Sequence, residues 1–121
     1  LHRPITRRKM VQITRDHSLV QDMVDRGEIS AEEARTHPRR NVITRALGVD
    51  ENVPCDIFKP RLSRGDMLLL CSDGLTNMLE DREIFELSKH NPDPLSLGRA
   101  LMAEALERGA TDNVTVVIIS K

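Results

Sequence analysis

From Met67 to Cys71 every position is apolar, with Gly65 and Asp66 before the run and Ser72, Asp73 and Gly74 after it. A short apolar run between turn residues predicts a strand inside a sheet. Val114 to Ile119, rich in β-branched residues, predicts the last strand. Two further runs alternate: Met10, Gln12 and Thr14 against Val11 and Ile13, and Val53, Cys55 and Ile57 on one face. Both predict short, half-buried strands.

Between these runs the pattern is helical. Ser18 precedes Leu19–Arg26, which Gly27 stops, and Ser30 with Glu33 forms a capping box for a helix that Pro38 ends. Residues 16–48 thus read as two short, charge-rich helices in a surface excursion. Ser63 to Asp66 predicts a turn. Asp81 can cap a helix to about Lys89. Asp93 with Pro94 opens another that Gly109 closes. Leu97, Leu101 and Ala105 recur every fourth residue, as do Met102 and Leu106, and predict a core-facing stripe. The order is strand, two-helix excursion, two strands, two helices, strand. This predicts an α+β fold with antiparallel pairing.

Composition narrows the class. The 121 residues suffice for one domain or part of one. Aromatic residues are only 2%, so Leu, Ile, Val, Met and Ala must build the core. The balance of 18 basic and 19 acidic residues gives no argument for nucleic acid or a membrane surface as partner. No apolar run approaches the ~20 residues of a membrane span, and no secretory pattern is present. Arg7 to Lys9 reads as a solvated basic turn. Cys55 and Cys71 lie in strand-like runs without CxxC spacing, which predicts buried free thiols in a reducing cytoplasm. The first residue is Leu1, which predicts a section of a longer chain.

Candidate chemistry gathers at two aspartates. Asp73 stands where a buried strand emerges, and Asp112, followed by Asn113, stands where the last strand begins. If those strands are antiparallel neighbours, the two carboxylates meet at one rim of the sheet. Two such charges about 4 Å apart repel by roughly 4 kcal/mol at an effective dielectric near 20. The pair then needs a cation or a shared proton. Oxygen-only donors favour Mg²⁺ or Mn²⁺. Gly74 permits a turn that a side chain would block. The same residues also read simply as a Ser-Asp-Gly turn and an Asp-Asn cap or bend. Elsewhere His17 and His37 read as structural, Asp16 as a turn residue, and His2 and His90 as lacking a partner pattern. Arg39 and Arg40 read as solvated.

Longer motifs extend this reading. "LLLCSDGLTNMLEDREI" followed by "ATDNVTVVIIS" resembles the metal-dependent serine/threonine protein phosphatases of the PPM, or PP2C, family. "QITRDHSLVQDMVDRGEISAEEARTHPRRNVITRALG" resembles the flap of the bacterial members. The resemblance implies an αββα sandwich, a centre of two or more Mn²⁺ or Mg²⁺ ions, and hydrolysis of phosphoserine and phosphothreonine in proteins. It implies Asp73 and Asp112 as ligands of the same ion, with Gly74 and Asn113 as supporting or turn residues. Ser72 is then a neighbour and not a nucleophile, and no catalytic side chain is expected in this chain. Residues 16–48 become the flap, with Arg39 and Arg40 as substrate contacts. The family's bridging aspartate, Asp-Gly pair and Gly-Asp-Ser-Arg motif are missing, so residues 1–121 correspond to the C-terminal part of one phosphatase domain. Such a section alone is expected to be inactive. Phosphoprotein partners, including serine/threonine kinases or their targets, and a cytoplasmic location follow. The alternative is a non-catalytic, phosphatase-like module that binds phosphoproteins or regulates a partner.

Overall fold

A strand becomes central only when both its edges find partners, and Met67–Cys71 finds both. The computed structural model describes residues 2–5 and 9–121. It divides into two compact units, Arg15–Ile57 and the remainder of the chain. In the larger unit, β1 (His2–Ile5), β2 (Met67–Cys71) and β3 (Val116–Ser120) form an antiparallel sheet in the order β1-β2-β3. The β2–β3 register pairs Met67 with Ser120 and Cys71 with Val116. The expected turn at Ser63–Asp66 leads into β2. There Ser63 N–H donates to the Asp66 carboxylate at 2.8 Å, and Gly65 takes φ +90°, a left-handed value suited to glycine.

Three helices separate β2 from β3: α3 (Asp73–Thr76), α4 (Asp81–His90) and α5 (Pro94–Glu107). The Asp93 carboxylate accepts the Leu95 and Ser96 N–H groups at 3.0 and 3.2 Å, with Pro94 in the first turn. The stripe Leu97, Leu101 and Ala105 is fully buried, together with Leu69, Leu75, Leu79 and Ile84. Each buried leucine stabilises the fold by roughly 1.5–3 kcal/mol relative to an exposed one. α5 packs on β3. On the sheet, Met67 and Leu69 are buried, whereas Leu68 and Leu70 are half-buried and their partners Ile119 and Val117 are 48% and 49% exposed. The sheet therefore carries an apolar second face that is only partly covered.

An ion network joins the helices. Glu80, not Asp81, caps α4, and its N–H donates to Glu83 Oε2 at 2.8 Å. The other Glu83 oxygen accepts from Arg108 at 2.8 Å. Arg108 also donates to Glu104 at 3.0 Å and to the Met78 carbonyl at 3.0 Å. Arg108, and next the Glu80 N–H, lower the Glu83 carboxyl to about 2 from an ordinary 4.5. The guanidinium of Arg108 is held above its own ordinary value by Glu83 and Glu104.

The smaller unit holds α1 (Leu19–Asp25) and α2 (Ala31–Thr36). Ser18 Oγ accepts the Gln21 N–H at 3.2 Å, and the Ser30–Glu33 box closes in both directions at 3.1 and 2.6 Å. Among the described residues Val20 is the buried hydrophobic of this unit. Polar contacts supplement it. Arg15 pairs with Asp22 and Asp25, and His17 Nε2 lies 2.7 Å from Asp56. Arg45 reaches the other Asp56 oxygen at 3.2 Å.

Several expectations fail. Residues 10–14 form no strand: Met10 makes a single bridge to Ile5, and the Gln12 side chain donates to the Thr14 carbonyl at 2.8 Å. That local bond competes with a ladder. Val53, Cys55 and Ile57 form no strand either; Ile57 is 80% exposed. Pro54 lies inside that run and offers no N–H to a neighbour. Cys55 is consequently exposed and Cys71 half-buried, so neither is the buried thiol expected. The last strand begins at Val116 and not at Val114. Leu106 is 63% exposed, so the second stripe of α5 turns partly to water. In the Arg7–Lys9 run, residues 7 and 8 lie outside the described residues.

Replacing Glu83 with Gln should destabilise the protein by about 1 kcal/mol, a charged hydrogen bond discounted for a site open to water. Because folding lowers the Glu83 pKa, its contribution is full above 4.5 and is lost as pH falls through about 2. Thermal melts of wild type and Glu83→Gln between pH 7 and pH 2 should converge at the acid end. A constant difference would contradict this assignment.

Candidate metal centre

The antiparallel register of β2 and β3 places the exit of one beside the entry of the other. Ser72 extends the ladder by one residue: its N–H donates to the Thr115 carbonyl at 3.0 Å. Its hydroxyl donates to the Asn113 carbonyl and accepts the Thr115 N–H, each at 3.0 Å. Asp73, the next residue, begins α3 and is exposed. Asp112, the residue before Asn113, is also exposed, and its Oδ1 accepts the Asn113 N–H at 2.7 Å. Each aspartate is thus one residue from the Ser72–Asn113 bond.

Gly74 makes this approach possible. It is buried, and a Cβ built there would lie 2.3 Å from the Asn113 carbonyl oxygen and 2.9 Å from its carbon. Real Cβ atoms do not approach backbone so closely, so any side chain would push the two segments apart. The φ of Gly74 is not positive. Its requirement is therefore close packing of backbone, whereas the sequence suggested turn geometry. Asn113 enters the arrangement through its peptide groups, its N–H to Asp112 and its C=O to Ser72.

As a donor set the rim is hard and incomplete. Two exposed carboxylates suit an oxygen-seeking divalent cation. Among the described residues no group of three or more His, Cys, Asp or Glu side chains could hold an ion. An octahedral cation accepts about six ligands. The residues present fit part of such a site, and water or further protein must supply the rest.

The other candidates lie in the smaller unit. Arg39 and Arg40 are exposed, at the end of α2. The Arg39 N–H donates to His37 Nδ1 at 3.1 Å, and Arg40 Nη1 donates to the His37 carbonyl at 3.3 Å. His37 caps α2, which accords with its structural reading. His17 is likewise engaged, with Asp56, whose carboxyl is held below the usual range first by His17 and then by Arg45. Asp56 and Arg45 were not singled out from the sequence, because no periodicity links residues in irregular segments. Ser72 was noted only as a neighbour of Asp73. A serine before a helix suggests capping, and nothing local reveals a bond to a strand 41 positions away.

Comparison with known proteins adds an independent line. The chain is 42% identical over 112 residues to the serine/threonine phosphatase stp of Listeria innocua, covering 93% of this chain and 44% of that protein. The crystal structure of serine/threonine phosphatase Stp1 from Staphylococcus aureus superposes with a TM-score of 0.94 at 42% identity, over 99% of this chain and 47% of that one. The catalytic domain of the serine/threonine protein phosphatase PstP, solved with two manganese ions, superposes with a TM-score of 0.78 at 36% identity, over 97% and 47%. The chain therefore spans about half the length of the relatives it matches. Its α+β architecture is a portion of their PP2C-type sandwich. The profile described as Stage II sporulation protein E (SpoIIE) matches residues 29–121, the greater part of the sequence. On that match, and on a backbone shared with solved PPM phosphatases, the chain belongs to the SpoIIE-related PPM, or PP2C-like, phosphatase family.

Proposed function

We propose that this chain is the C-terminal half of a metal-dependent phosphatase domain that hydrolyses phosphoserine and phosphothreonine in proteins. Asp73 and Asp112 are its metal ligands, for Mn²⁺ or Mg²⁺. The observation that carries this reading is the meeting of the two acidic segments at the Ser72–Asn113 bond. The manganese pair in the PstP structure supports the choice of ion. When bound, such ions lower the pKa of a coordinated water and neutralise phosphate oxygens. This chain's residues supply position and charge. Asp73 and Asp112 present carboxylate oxygens at one rim, and the Asn113 N–H fixes one Asp112 oxygen. Ser72 is not a nucleophile, since its hydroxyl both donates to and accepts from strand backbone.

Residues 16–48, within the smaller unit, serve as a substrate-facing flap, with Arg39 and Arg40 meeting the phosphoprotein. Among the described residues, the one buried hydrophobic, Val20, and the exposed ion pairs of this unit suit a segment that opens locally at low free energy. Among the described residues no helix is long and apolar enough to cross a membrane. Our reading is a cytoplasmic signalling enzyme that opposes serine/threonine kinases. A second reading is a non-catalytic phosphatase-like module that binds phosphoproteins.

These readings separate in one assay. The full-length protein with Mn²⁺ should release phosphate from a phosphothreonine peptide, and residues 1–121 alone should not. Asp73→Asn and Asp112→Asn should each lower the full-length activity by about 10²-fold or more, with far less than additive loss in the double variant. A full-length protein that binds phosphopeptide without turnover would favour the second reading.

Gly74→Ala should lower Mn²⁺ affinity and destabilise the protein by about 1–3 kcal/mol, as overpacking does. Calorimetry and thermal melts measure both, and wild-type behaviour in either would contradict the close-approach argument. Arg39→Ala and Arg40→Ala should slow dephosphorylation of a phosphoprotein while sparing a small aryl phosphate. Equal losses on the two substrates would place the flap in the catalytic scaffold instead.

A further inference from the structure

A serine preceding a helix ordinarily turns its hydroxyl onto the N–H groups of that helix's own first turn. Ser72 precedes α3 with extended backbone, φ −74° and ψ 167°, yet makes no side-chain cap bond. Its hydroxyl faces the other strand. There it gives its proton to the Asn113 carbonyl and takes the Thr115 N–H, both at 3.0 Å, so one oxygen grips the backbone on either side of Val114. Gly74 bears on the same carbonyl from beyond Asp73: a Cβ there would stand 2.3 Å from Asn113 O and 3.3 Å from Val114 Cγ2. The Asn113 peptide is thus fixed by two contacts that flank Asp73, and Asp112 is its immediate neighbour.

We propose that Ser72 is a positioning residue for the Asp73–Asp112 pair, its hydroxyl setting the spacing at which the two carboxylates meet a shared divalent cation. The inference rests on the reading of both aspartates as ligands. The physical reason is charge. Two carboxylates at one rim repel until a cation arrives, and in the metal-free protein that repulsion loads the packing and the Ser72 N–H to Thr115 bond that otherwise join the segments. A hydroxyl that donates to one strand peptide and accepts from the next resists that separation in both directions. The side chain needed is one that does both. Alanine does neither, cysteine does both weakly, and threonine keeps the function.

The test uses the full-length protein and Mn²⁺ alone, without substrate. Mn²⁺ binding is measured by calorimetry, and thermal unfolding is measured without metal, for wild type, Ser72→Ala, Ser72→Cys, Ser72→Thr and Asp112→Asn. Ser72→Ala should weaken Mn²⁺ binding by roughly 10-fold, the lower end for loss of a residue that orients ligands. Ser72→Cys should weaken it less, and Ser72→Thr should bind nearly as wild type. A lower metal-free melting temperature with unchanged Mn²⁺ affinity in Ser72→Ala would reduce the residue to a structural role and overturn the proposal. So would a threonine variant as weak as the alanine one. If Ser72→Ala does not fold, the cysteine variant decides, and wild-type affinity there overturns the proposal. Asp112→Asn separates the two readings. Unchanged Mn²⁺ binding in that variant would remove the ligand assignment and the inference with it. Weakened binding there, beside normal binding in the alanine and cysteine variants, would overturn only the role given to Ser72.

Discussion

The contact on which the acidic rim depends is a backbone approach with no room for a side chain. The Asn113 carbonyl oxygen lies 2.3 Å from where a Cβ of residue 74 would stand, and it receives the Ser72 hydroxyl at 3.0 Å. Glycine and serine thereby do complementary work, one allowing the approach and the other holding it. Asp73 sits between them on one segment and Asp112 beside their common target on the other. Backbone hydrogen bonds and packing hold the two segments together, and both aspartates remain exposed.

That approach is held in turn by the core beneath it. β2 and β3 run antiparallel with Cys71 opposite Val116, so the ladder ends immediately before Ser72. Leu69, Leu75 and Leu79 anchor the strand and the short helix after it, all without exposure. α5 lays Leu97, Leu101 and Ala105 under the sheet, and Arg108 ties its end to Glu83 of α4 and to the Met78 carbonyl. The position of Asp73 is therefore set by a buried strand on one side and a cross-linked helix pair on the other. The smaller unit is built differently. Its described core is Val20, supplemented by side-chain contacts of Arg15 with Asp22 and of Asp56 with Arg45 and His17. Such ion pairs are weak in water and screened by salt.

Local signals reported the parts whose forces are local. The Ser30–Glu33 box, the Asp93–Pro94 helix start and the Leu97, Leu101, Ala105 stripe all formed as the residue spacing implied. In each case the partners lie within a few positions. Met67–Cys71 was legible as a central strand because an unbroken apolar run has nowhere else to be buried. The two alternating runs misled for the same kind of reason. Alternation says that one face could be buried, but a strand also needs a neighbour with free N–H and C=O groups. Residues 10–14 satisfied a carbonyl locally, and Pro54 removed a donor from the run around Cys55.

The sequence by itself determined the helix caps at Ser18, Ser30 and Asp93, the central strand and the family motifs. Those properties are written in residue type and short spacing. Only the tertiary structure decided why Gly74 must be glycine, what Ser72 does with its hydroxyl, and that Asp56 joins His17 and Arg45. Each of these depends on groups brought together by strand register or by the path of an irregular segment. The Ser72–Asn113 bond spans 41 positions and His17–Asp56 spans 39, distances over which composition and periodicity carry no information about which atoms will meet.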